Sequence, residues 1–166
     1  MTLAGVSKLK RELKHLKTVE RPKNVRDIEE ARAHGDLSEN AEYHAAKDRQ
    51  GQIDGRMRFL EDVLARSEII DVRKMAGDQV KFGATVTLED SDSGNEVKYR
   101  IVGEFEADLK QRRVSITSPI ARALIGREVG DSVQVQAPGG AREYEILTVE
   151  FIEDPLPADD GTNEAD

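Results

Sequence analysis

The stretch Gly35-Asp36-Leu37-Ser38-Glu39-Asn40-Ala41-Glu42-Tyr43 holds the residues best suited to chemistry. Asp36 and Glu39 stand three positions apart, and two carboxylates so spaced can do one of two things. They can cap a helix, with Asp36 as N-cap acceptor and Glu39 at the third helical position, a capping box favoured by the helix dipole. They can also hold Mg²⁺ through one or two oxygens while its remaining positions keep water. Such a pair is an incomplete ligand set, useful only where a partner supplies the rest. His34 and His44 flank the same stretch, but they lack the one-face spacing of a dedicated zinc site. His15 lies beside the apolar position Leu16 and reads as a solvated helix residue. There is no glycine-rich phosphate loop, no Gly-x-Ser-x-Gly and no His-Glu-x-x-His.

The flanking pattern says what must position these carboxylates. Val6, Leu9, Leu13, Leu16 and Val19 recur every three or four residues, and Val25, Ile28 and Ala31 resume the pattern after Pro22. Proline removes a helical hydrogen bond and the phase slips there, so the expectation is one bent helix or two collinear ones. Tyr43, Ala46, Gln50, Ile53, Met57, Leu60 and Leu64 form a heptad-type seam with one polar seat. Two periodic helices joined at the break around Gly35 read as an antiparallel hairpin. From Val6 to His34, at 1.5 Å per residue, such an arm spans roughly 43 Å. The acidic pair then sits at the end of a long rigid arm, suited to carrying negative charge into a deep hole.

Beyond Met75-Ala76-Gly77-Asp78 the period becomes two. Ala84–Leu88 and Val97–Val102 read as strands around the turn cluster Ser91–Asn95, and Ser132–Val135 and Glu143–Val149 as strands around Pro138-Gly139-Gly140. Between them Ser118 is a good N-cap, Pro119 suits the first helical position and Gly126 the position past the end. The predicted class is α+β: an antiparallel coiled-coil hairpin (1–75), then a small, mostly antiparallel sheet domain with one short helix (76–152). An acidic, disordered tail (153–166) is expected to follow.

Composition narrows the partners. The chain has 166 residues, 37% hydrophobic and 35% charged, with no Trp and no Cys. Residues 1–75 carry 16 basic and 14 acidic side chains, a balance of +2, and the remainder 9 and 19, a balance of −10. A net charge of −8 argues against free, nonspecific nucleic-acid binding. The absence of cysteine, of a membrane-length apolar run and of an apolar leader at the start points to the cytoplasm.

The segment HGDLSENAEYHAAKDRQG, from His34 to Gly51, resembles the signature of the Gre transcript-cleavage factors of bacterial RNA polymerase. FGATVTL, YRIVGEFEAD, SPIARALIGREVGD and PGG…EYEI follow in that family's order, so the resemblance covers the chain up to about Asp154. It implies an FKBP-like second domain and an N-terminal coiled coil that enters the secondary channel of the polymerase. The family's invariant tip acids fall on Asp36 and Glu39. The implied reaction is Mg²⁺-dependent hydrolysis of nascent RNA whose 3′ end has been extruded by backtracking. The two carboxylates would share a second Mg²⁺ with the polymerase active site and orient the attacking water, one ion favouring the nucleophile and the other the leaving oxygen.

By the same resemblance Arg32 and Lys47 form a basic patch that contacts the extruded RNA, although ordinary solvated helix charge explains both. Thr117, Ser118 and Pro119 dock on the channel rim, a role compatible with plain helix capping. The protein would be a monomer and not an enzyme alone: it would activate the polymerase's own hydrolysis, and no metal would be bound tightly in isolation. With Phe82, Tyr99, Phe105, Tyr144 and Phe151 as its only aromatics and no Trp, the second domain offers no case for prolyl isomerase activity. Competing readings are a channel-binding regulator that inhibits or competes without stimulating cleavage, and a structural or chaperone-like module whose arm dimerises.

Overall fold

The computed structural model describes residues 1–35, 40–137 and 139–153. It divides into two compact units, Val6–Ser67 and Met1–Gly5 with Glu68–Asp166.

The first unit is the helical arm. α1 (Leu3–His15) runs into a π turn (Leu16–Glu20), which continues as α2 (Arg21–Ala33); α3 (Ala41–Arg66) packs back along it. The sequence leaves a choice between one bent helix and two collinear ones around Pro22, and the structure joins α1 to α2 through a π turn. The turn before the proline widens, so that Arg21 N–H bonds to the Leu16 carbonyl five residues back. The extra residue absorbs the phase slip. Pro22 then falls in the first turn of α2, directly past the widened turn.

This turn also corrects the predicted seam. Val19 and Val25 are 47% and 43% exposed, while Asn24 is buried at 4%. The inner face runs Leu9, Leu16, then Glu20 at its edge, Asn24, Ile28 and Ala31, because one inserted residue rotates everything beyond it. On α3, Ala46, Ile53, Met57 and Leu60 are buried as the heptad reading expects. At the end of the helix Val63 is buried and Leu64 only half-buried. An α-helix drifts about 20° per heptad against a 3.5-residue repeat, which moves the seam by one position there.

Ion pairs flank the seam. Arg56 spans Glu12 at 2.6 and 3.1 Å, Lys17 meets Glu61 at 3.3 Å, and Arg49 meets Glu20 at 3.3 Å. The Arg49 hydrogen bond, with His15 on the other oxygen, holds the Glu20 carboxyl below the usual glutamate range. These pairs are solvent-exposed, where water screens the charges and ordering long side chains offsets most of the attraction. They fix an antiparallel register more than they stabilise it.

The second unit is a five-stranded sheet in the order β3-β2-β1-β5-β4. The strands are β1 (Thr85–Asp90), β2 (Glu96–Val102), β3 (Arg113–Ser115), β4 (Ser132–Ala137) and β5 (Gly140–Glu150). Both predicted hairpins form, and β1 and β5 join them antiparallel at the centre. The period-two pattern fails once. Leu88 pairs with Ile146 where Thr87 pairs with Thr148, so Leu147 is an extra residue and the buried positions of β5 are Ile146 and Val149. That is a β-bulge, which bends the strand and strengthens its twist. β3, parallel to β2, was not predicted: it is three residues long and buries Val114 alone. The chain enters it through Arg112 in a left-handed conformation, φ 58°. α4 (Pro119–Leu124) buries Ala121 and Leu124 in a core with Val86, Leu88, Ile101 and Ile146, all fully buried.

The first residues of the chain belong to this unit. Thr2 forms a parallel bridge with Ile70, the terminal ammonium donates to the Glu68 carbonyl, and Ile70 N–H donates to the Met1 carbonyl. Thr2 N–H and its hydroxyl both donate to Glu106 Oε1, while Gly103 N–H donates to Oε2 at 2.8 Å. No helix among the described residues is long and apolar enough to cross a membrane.

Candidate site at the end of the helical arm

Asp36 and Glu39, the predicted acids, lie outside the described residues; both ends of the connection that carries them are described. α2 finishes at Ala33. His34 N–H donates to the Ala31 carbonyl at 3.2 Å, and Gly35 turns with φ 111°, a conformation open to glycine.

On the far side α3 begins at Ala41, and its N-cap is Asn40. The Asn40 backbone is extended and its side-chain oxygen accepts from Tyr43 N–H at 3.0 Å. This corrects one expectation. The residue that caps the helix is not Asp36, and the third helical position is Tyr43, not Glu39. Asparagine ranks with aspartate as an N-cap, and its place directly before Ala41-Glu42 was the available signal. Asp36 and Glu39 are therefore not needed to start α3.

The predicted basic patch stands beside this connection. The Arg32 guanidinium, in the last turn of α2, lies 5.8 Å from the centroid of the Tyr43 ring. Lys47 follows Tyr43 by four residues and so shares its helix face. It is exposed, with Nζ donating to Gln50 Oε1 at 3.0 Å. Arg32 and Lys47 thus share a strip with Tyr43 between them, a residue the sequence reading placed only in the seam of α3. His44 packs edge-on against the same ring, centroids 5.7 Å apart, and His34 is exposed at the α2 terminus. No group of three or more His, Asp or Glu side chains suited to a metal occurs among the described residues.

Thr117, Ser118 and Pro119 belong to the sheet unit. Ser118 Oγ accepts from Ala121 N–H at 3.3 Å as the N-cap of α4, with Pro119 at the helix start. Ser115 Oγ accepts from Thr117 N–H at 3.1 Å and bonds its hydroxyl at 2.7 Å. The capping role is thus present, and Thr117 and Pro119 remain exposed on the surface of this unit.

A helical hairpin with an acid-bearing connection, followed by a bulged five-stranded sheet, is the build that two family descriptions match in turn. "Transcription elongation factor, N-terminal" covers residues 1–69, and "Transcription elongation factor, GreA/GreB, C-term" covers 75–151. The chain belongs to the GreA/GreB family of transcription elongation factors. It is 63% identical to transcription elongation factor GreA of Anaeromyxobacter sp. (strain K) over 96% of each chain. It is 60% identical to GreA of Phenylobacterium zucineum (strain HLK1) over 92% of this chain and 97% of that one. A solved structure of GreA factor homolog 1 from Thermus thermophilus is 29% identical, covering 90% of this chain and 97% of its own, with a TM-score of 0.41. As a GreA-type factor the protein works in transcription elongation through RNA polymerase and is not an independent enzyme.

Proposed function

We propose that the arm enters the secondary channel of bacterial RNA polymerase and stimulates cleavage of the 3′ end of nascent RNA in backtracked complexes, so that elongation resumes. The observation that carries this reading is the cap at Asn40. With α3 capped by Asn40, the start of that helix does not call on Asp36 or Glu39 as its N-cap pair.

Carboxylate oxygens are hard donors suited to Mg²⁺, and two of them leave most of its coordination positions for other ligands. Asp36 and Glu39 would hold the ion jointly with groups of the polymerase, and bound there it would stabilise charge developing on the phosphate. The carboxylates also accept hydrogen bonds from the attacking water and so orient it. Arg32 and Lys47 would attract the phosphates of the extruded RNA from one side of the connection. Thr117, Ser118 and Pro119 would seat the sheet unit at the channel rim, with the factor acting as a monomer.

The test is RNA cleavage in a purified, stalled, backtracked elongation complex, with wild type and with Asp36→Ala/Glu39→Ala. Release of short 3′ fragments by wild type alone, with both proteins competing equally for polymerase, is the expected result. Binding without cleavage by wild type would favour a regulator that only occupies the channel. Added Mg²⁺ should partly rescue each single acidic variant by mass action, and a rate indifferent to Mg²⁺ would count against a shared ion.

A further inference from the structure

Asn40 uses both ends of one amide, each on a different helix. Its Oδ1 accepts from Tyr43 N–H in the first turn of α3. Its Nδ2 donates to the Ala31 carbonyl in the last turn of α2, nine residues earlier, at 2.6 Å. That carbonyl already accepts from His34 N–H at 3.2 Å, and the Asn40 carbonyl accepts from His44 N–H at 3.1 Å. Only one orientation of the amide works, because turning it over would set a donor against Tyr43 N–H and an acceptor against the Ala31 oxygen.

A helix cap needs an acceptor and nothing more, so serine, threonine or aspartate would serve α3 equally well. What asparagine adds is the donor that reaches across. We infer that Asn40 is a positioning residue. Its amide ties the end of α2 to the start of α3 and fixes the separation of the two helix ends, on which the cleavage proposed above depends; the inference rests on that reading. Without the tie the two helix ends part more freely. Displacing reacting groups by about 1 Å can cost up to about 100-fold in rate, while binding that depends on surface elsewhere is unaffected.

Asn40→Ser separates the two halves of the amide, since its hydroxyl still caps Tyr43 but is too short to reach the Ala31 carbonyl. Asn40→Ala removes both. Cleavage in the backtracked complex is to be measured against factor concentration, beside wild type and Asp36→Ala/Glu39→Ala. The temperature is one at which circular dichroism shows every variant fully folded. The expected result for Asn40→Ser is a maximal rate about tenfold below wild type or lower, with the half-saturating concentration within about twofold. In the free protein, amide order parameters at His34 and Gly35 should fall while those of α3 stay unchanged.

A wild-type maximal rate for Asn40→Ser would overturn the inference and leave Asn40 as a cap only. So would a weaker half-saturation with the maximum intact. If wild type itself does not cleave, the reading of the acids fails, and the order parameters still decide separately whether the tie exists.

Discussion

The arm and the sheet unit bury their apolar residues by different means. The arm closes along one seam, one residue wide on each helix, interrupted by a buried asparagine and edged by exposed ion pairs. The sheet unit closes around side chains with no exposure at all, drawn from strands and a helix far apart in sequence. Every neighbour of an arm residue is one turn away or directly opposite, so the seam tolerates a local fault such as the π turn. In the sheet a fault has to be absorbed by a strand that pairs on both sides, and β5 absorbs its own with a bulge.

The sharpest way to break this contrast is a pair of truncations. Leu88→Ala removes a fully buried side chain from the central strand and should cost about 2–5 kcal/mol in chemical denaturation. Val19→Ala, on the outer face of the arm, should change stability by less than about 0.5 kcal/mol. Comparable losses for the two would mean that Val19 belongs to the seam after all. Next in size is Gly5→Ala. A methyl group there would overlap the Glu106 carboxylate and drive it off Thr2 and Gly103. Losing hydrogen bonds to a charged, partly buried acceptor should cost about 2 kcal/mol. In a Glu106→Ala background the same change should cost almost nothing, and an undiminished penalty there would place the clash elsewhere.

A smaller effect is expected from deleting Thr18. The inner-face positions after Leu16 would then fall three, four, four and three residues apart, an ordinary α-helical pattern. Helicity should be kept and stability altered by no more than about 1 kcal/mol, as read by thermal melting. Collapse of the arm would show that the π turn does more than absorb a phase slip. The smallest effect concerns Glu20. Its carboxyl is held below the usual range by Arg49 and then His15, so its native form favours ionisation. The stabilisation is present above the unfolded glutamate value, about 4.3, and fades as pH falls through the lower native one. A carbon-detected titration should show a depressed midpoint that rises in Arg49→Ala, and an unmoved midpoint would remove Arg49 as the cause.

The parts of this molecule legible in its sequence are those set by neighbours in the chain. The two halves of the arm, both hairpins and the Ser118-Pro119 start of α4 follow from periodicity and capping chemistry within a few residues. The rest depends on partners the pattern does not name. β3 has too few residues to show a period. The β1–β5 pairing joins segments more than fifty residues apart, as in Thr85 with Glu150. Asn40 was hidden for a different reason: Asp36 and Glu39 fit the capping-box pattern by spacing, and only the backbone shows that the helix starts later. The acidic tail from Asp154 on and the carboxylates themselves lie outside the described residues.

The clasp on Glu106 also imposes an order on assembly. Thr2 is made well before its partner, which lies 104 residues later in the chain. The central strand β1 likewise waits for β5. Residues 6–67, by contrast, hold both helices of the arm, so these can pair while the sheet is still being made. Nonlocal pairings carry the larger closure entropy and form more slowly. The segment Met1–Gly5 is thus among the last to find its place, because Glu106 is made only after the arm is complete.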